Sequence, residues 1–150
     1  MKKYFLSMLV ALFAFFTSQA QTYKGLPQKA NDYITKHFSG YIISHYEKDS
    51  EILDVEHKVY VSKQAVSFKL DFNKSGDIKD IESLDDKTPL PKSVLPVKIS
   101  QYVKANYPQA KIIEWKMRKN SQVVELNIDL ELIFNGKGDL LFTDPDFTKK

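Results

Sequence analysis

LPQKANDYITKHFSGYIISHY (Leu26–Tyr46) returns 69 residues later as LPVKISQYVKANYPQAKIIEW (Leu95–Trp115). In that register Leu26/Leu95, Pro27/Pro96, Lys29/Lys98, Tyr33/Tyr102, Ile34/Val103, Phe38/Tyr107 and Tyr46/Trp115 match in kind. A second pair, FNKSGDI (Phe72–Ile78) and FNGKGDL (Phe134–Leu140), recurs at an offset of 62. One such match arises by chance, but a run of them in fixed register marks a duplicated unit and sets the architecture. The first copy is seven residues longer between helix and loop, and the surplus is assigned to KDSEILDVEH (Lys48–His57).

Within each copy the apolar period changes once. Ala30, Tyr33, Ile34 and Phe38 fall on one helical face, and Ile99, Tyr102, Val103 and Tyr107 repeat the pattern. Pro27 and Pro96 suit a first helical turn, where a missing N–H costs nothing. Ser39-Gly40 and Pro108 end the helices. The period then becomes two: Val66, Phe68, Leu70 and Phe72 alternate with Ser67, Lys69 and Asp71, and Leu130, Leu132 and Phe134 with Glu131 and Ile133. Such alternation marks strands with one dry and one wet face. The expected fold is α+β: two tandem repeats, each one helix followed by about four antiparallel strands, with the helices packed on a sheet. LDDKTPLPKSVLP (84–96) reads as a semi-extended connector because each proline fixes φ and disfavours helix before it. The tail TDPDFTKK reads as a frayed end.

The first 20 residues have a different character. Lys2 and Lys3 precede an uncharged run from Tyr4 to Phe16, and Ser18 and Ala20 form an A-x-A-like cleavage site. This is a secretory signal peptide, too short to span a membrane. Cleavage after Ala20 leaves residues 21–150, with repeats at about 25–84 and 94–144. That chain carries 20 basic and 19 acidic residues, so charge says little about partners. One arginine, Arg118, argues against a nucleic-acid face. The absence of cysteine excludes thiol catalysis and disulfides, so an exported chain must rely on its apolar core.

The repeated loop admits a calcium reading. From Asp71 the chain runs DFNKSGDIKDIE, placing Asp71, Asn73, Ser75, Asp77 and Glu82 at the ligand positions of an EF-hand loop. Against this, the segment is entered from a strand, and the second copy puts Ile133 first and Asp144 last. Gly76 and Gly138 also have a simpler use, in supplying the positive φ of a hairpin loop. A structural hairpin is favoured. NGKGD lacks the context of a phosphate-binding loop.

No catalytic constellation appears. His37, His45 and His57 lack metal-ligand spacing and read as partly exposed structural residues, with His45 and His57 on strands. There is no G-x-S-x-G, and Asp85-Asp86 lies on the connector. No cofactor is indicated. Of the 18 tyrosines and phenylalanines most fit the core, with Tyr41 and Tyr60 as candidates for exposed contacts. A continuous sheet would array His45, Glu47, Lys69, Glu114, Lys116, Arg118 and Glu131 on or beside its open face, a surface suited to a partner.

The duplicated helices, the stretch PKSVLPVKISQYV (Pro91–Val103) and the paired turns resemble the PepSY-like, or beta-lactamase-inhibitor-like, proteins: exported bacterial proteins of Bacteroidetes type with two helix-plus-sheet repeats. The resemblance spans Leu26 to about Phe142. It departs at Ile78 and Leu140, where the family often has tryptophan or another large residue, and at NIDL (Asn127–Leu130), where it often has an Asn-Gly turn. The resemblance implies a noncatalytic, inhibitor-like or ligand-binding role in the periplasm or outside the cell, with an envelope or extracellular protein as target. It implies neither nucleic-acid binding nor membrane insertion after cleavage. The alternatives are the calcium module or a small-ligand-binding envelope protein.

Overall fold

The computed structural model describes residues 22–50 and 55–145. The leader at 1–20 lies outside them. In chain order the elements are α1 (Gln28–His37), β1 (Ile42–Ser50), β2 (Val55–Lys63), β3 (Val66–Asn73) and β4 (Ile78–Ser83), then a 3-10 turn at Lys92–Val94. The second set is α2 (Val97–Asn106), β5 (Ile112–Met117), β6 (Ser121–Leu126), β7 (Leu130–Asn135) and β8 (Leu140–Pro145). The fold is thus α+β, a helix then four strands, twice. All eight strands form one antiparallel sheet in sequence order. The copies join where β4 meets β5, through Asp80 opposite Lys116, Ile81 opposite Trp115 and Glu82 opposite Glu114.

The helices are short and need the sheet, since ten residues are marginal alone in water. Ala30, Ile34 and Phe38, and Ile99 and Val103, are buried on Val59, Leu70, Phe72 and Ile81 and on Trp115, Val124, Leu132 and Phe134, in one continuous core. Tyr33 meets Phe72 edge-on at 5.8 Å, and Tyr102 meets Phe134 at 5.5 Å, so duplicated residues have duplicated surroundings. Both prolines act one residue earlier than expected. Pro27 and Pro96 are N-caps with ψ of 144° and 132°, outside the helical range.

The paired turns have identical wiring. Asn73 Oδ1 accepts from the Ser75 and Asp77 amides at 3.0 and 2.9 Å, and Asn135 Oδ1 accepts from those of Lys137 and Asp139 at 2.9 Å each. Gly76 and Gly138 hold φ of 83° and 80°, as a side chain would resist. Lys29 of α1 pairs with Asp77, and Lys98 of α2 with Asp139. The motif therefore ties each helix to its own hairpin. Bulges are duplicated too, at the β1–β2 step between Ile43 and His45 and the β5–β6 step between Ile112 and Glu114.

Three expectations need correction. The seven surplus residues are divided: Tyr46 to its partner Val59 spans 13 positions against 9 from Trp115 to Val124, and Val59 to Leu70 spans 11 against 8 from Val124 to Leu132. Four lengthen the first hairpin; the three in the second are two added ladder pairs less one turn residue, since Gln64-Ala65 closes it where Asn127–Asp129 closes its counterpart. The tail is not wholly frayed, since β8 carries Thr143 to Pro145 into the sheet. His57 is buried rather than partly exposed. Its Nδ1 lies 2.8 Å from the Tyr46 hydroxyl, which itself donates to Gly25 O at 3.1 Å. The hydroxyl proton is thus committed, and His57 is the Nδ1–H donor. Burial, then the Lys48 charge, holds its pKa below the ordinary value. The other copy makes the same join with Trp115 Nε1 donating to Gln122 at 3.1 Å.

Candidate functional site

The helices cover one face of the sheet, and the pairing registers define the other. One lateral row crosses all eight strands as His45, Tyr60, Lys69, Glu82, Glu114, Glu125, Glu131 and Asp144. The neighbouring row reads Glu47, Lys58, Asp71, Asp80, Lys116, Val123, Ile133 and Phe142. Strand alternation puts these side chains opposite the core. Five successive carboxylates, from Glu82 to Asp144, therefore stand on adjacent strands. Glu125, in the middle of this row, is buried, whereas Asp144 is exposed and Glu82 and Glu131 are half-buried.

Two lysines partly neutralise the centre. Lys69 Nζ lies 3.1 Å from Asp71 and 3.6 Å from Glu82. Lys116 Nζ lies 2.6 Å from Glu114 and 3.1 Å from Asp80. Asp71 and Asp80 face each other across strands, and each buries one carboxylate oxygen without a hydrogen-bond partner. Burial, reinforced by the Glu114 charge and opposed by Lys116, pushes the Asp80 pKa up to about 6. The neighbouring carboxylates raise that of Lys116 and overcome its own desolvation, so it stays charged. At the far corner Val123 and Ile133 are buried and Phe142 is 56% exposed, giving the acidic field an apolar border.

Of the residues singled out from sequence, His45, Glu47, Lys69, Glu114, Lys116 and Glu131 occupy these rows. Arg118 lies in the turn beyond β5, its amide donating to Ser121 O at 2.8 Å. Asp71, Asp80, Glu82, Glu125 and Asp144 were not anticipated as members of the face. Alternation alone would have offered several of them, but which carboxylates adjoin depends on strand register. Tyr41 and Tyr60 are half-buried, Tyr60 beside His45 at 5.5 Å between rings.

The linear calcium set does not converge. Asp71 and Glu82 flank Lys69 on the open face, whereas Asn73 is used in the turn and Asp77 pairs with Lys29 of the helix layer. Among the described residues no group of three or more His, Asp or Glu side chains is arranged to hold a metal ion. No described helix is long and apolar enough to cross a membrane.

Comparison with known proteins agrees with this architecture. Residues 56–141 match the family model described as "Putative beta-lactamase-inhibitor-like, PepSY-like". A Bacteroides thetaiotaomicron structure described as a putative calcium-regulated periplasmic protein is 28% identical, with a TM-score of 0.72 over 80% of this chain and 91% of that one. Two putative periplasmic proteins of Bacteroides vulgatus are each 26% identical, with TM-scores of 0.70 and 0.71. Those alignments cover 79% and 80% of this chain and 90% and 92% of the relatives. No curated protein matches significantly. With more than half its length matched by the family model, a duplicated helix-and-four-strand fold and three solved relatives, the chain belongs to the PepSY-like, beta-lactamase-inhibitor-like family.

Proposed function

We propose that the protein is a noncatalytic, exported binding protein that holds a protein partner on the open face of its sheet. The row Glu82–Glu114–Glu125–Glu131–Asp144 carries this reading. The solvent-facing acids of this row, Glu82, Glu131 and Asp144, suit a partner with a complementary basic strip, and Phe142 offers an apolar anchor beside them. The inhibitor-like description of the family and the periplasmic descriptions of its solved members support the same role and location. The leader through Ala20 supports export of a single unit, residues 21–150, with repeats at about 25–84 and 94–144.

Site-specific photocrosslinking in intact cells tests it. A crosslinker in place of Lys69 or Glu131 should yield a discrete adduct, and one in place of Lys36 on the helix side should not. Glu82→Lys with Glu114→Lys should abolish the adduct. No adduct from either sheet position, or equal adducts from Lys36, overturns the proposal.

Calcium responsiveness is the second reading, favoured by the description of the Bacteroides thetaiotaomicron relative. Titration calorimetry decides it, and a flat trace at millimolar calcium removes it.

A further inference from the structure

The two copies differ at one place where their duplication should make them alike. In the first, Tyr41 packs on Phe38 and Phe68 with ring centroids 5.6 and 5.8 Å away. Phe38 beneath it is 2% exposed. In the second copy the counterpart of Phe38 is Tyr107 and that of Tyr41 is Ala110. The ring is missing, Tyr107 is only half-buried, and a groove of about 330 Å³ opens between α2, the loop after it and the connector. Leu90, Leu95, Val103 and Tyr107 are among the residues lining it. The connector wall is fixed, since the Leu90 amide donates to Ile112 O at 2.8 Å and Lys111 Nζ to Lys87 O at 2.7 Å.

The charge of this groove is one-sided. Lys92, Lys104 and Lys111 line it and all three are exposed, while no acidic residue contributes. The volume lies at the lower end of the range of about 300–1,000 Å³ typical of small-molecule sites. An apolar wall with cationic groups at its mouth complements a molecule with a hydrocarbon body and one anionic head.

We infer that the connector groove binds an acyl carboxylate, its chain on Leu90, Val103 and Tyr107 in the space Tyr41 fills in the other copy, and its carboxylate among Lys92, Lys104 and Lys111. The site is on the helix side, away from the acidic sheet face, and does not depend on the role proposed for that face. Occupancy would brace the connector that joins the repeats.

Fluorescence titration of the purified protein with dansyl-undecanoate tests the inference. Binding should saturate, laurate should displace the probe, and dodecyltrimethylammonium should compete at least about tenfold more weakly, a difference of about 1.4 kcal/mol. Ala110→Tyr, which copies the first repeat, should weaken binding by about tenfold or more while leaving the circular dichroism spectrum unchanged. Lys92→Glu with Lys104→Glu gives an independent measure on surface positions and should weaken laurate binding without affecting dodecanol. Absence of saturable binding, equal competition by the cationic amphiphile, or unchanged affinity in folded Ala110→Tyr or in the double lysine variant overturns it.

Discussion

Gly76 lies directly against the backbone of Ala30: a Cβ on the glycine would stand 2.9 Å from the Ala30 amide nitrogen and 2.9 Å from Pro27 Cβ. Its counterpart Gly138 would instead meet the Lys98 side chain, at 3.3 Å. Both glycines have positive φ, so both resist substitution, but only the first faces rigid backbone. Gly138→Ala should cost about 1–2 kcal/mol for the left-handed conformation. Gly76→Ala should cost about 1–3 kcal/mol more because the helix start must move. Urea unfolding of the two variants checks the order, and equal losses would contradict it.

The duplicated Asn turns should contribute alike. Asn73→Ala and Asn135→Ala each remove an acceptor for two backbone amides, and each should lower stability by about 0.5–2 kcal/mol, as loss of a side-chain cap does. A large difference between their unfolding midpoints would show that the turns are not energetically equivalent.

Phe72 and Phe134 are fully buried at matching positions under Tyr33 and Tyr102. Truncation to alanine should cost about 3–5 kcal/mol at either site, combining lost transfer energy with the cavity left behind. Calorimetry should show one cooperative transition lowered by both variants, because the copies share one sheet. Two separate transitions would contradict that coupling.

Asp80 gives the fold a pH signature. Its folded pKa of about 6 exceeds the ordinary carboxylate value, so the folded state takes up the proton first. Its contribution to stability therefore grows as pH falls through 6 towards 4 and declines as pH rises, opposite in sign to a paired carboxylate. His37 and His57, both held low, act the other way and lose stability below their unfolded pKa. Comparison with Asp80→Asn isolates the aspartate. The advantage of the variant at neutral pH should shrink by about 1–3 kcal/mol by about pH 4. A constant difference across that range would show that Asp80 titrates normally.

Much of this molecule could be read from its residues. The fixed offset between two like segments gave the repeat, the change of period gave helix then strands, and the FNxxGD-type loops gave hairpins. These are local signals: a 3.6- or 2-residue period and a positive φ need only near neighbours in the chain. The surplus residues were misplaced because a hairpin can lengthen at any point that keeps both strands facing correctly, and only cross-strand pairing shows where it did.

The functional surfaces divide along the same line. Sequence alone determined that most strands alternate polar with apolar residues, that the chain carries no thiol, and that the two units are copies. Only tertiary structure decided that β4 pairs with β5 across the connector and α2, which merges two sheets and sets Glu82 beside the hairpin that carries Glu114 and Glu125. It likewise decided that exchanging Tyr41 for Ala110 opens a groove under lysines from the connector and α2. Side-chain type is written in the chain, but proximity between residues distant in sequence is set by which backbone edges pair and how the layers pack.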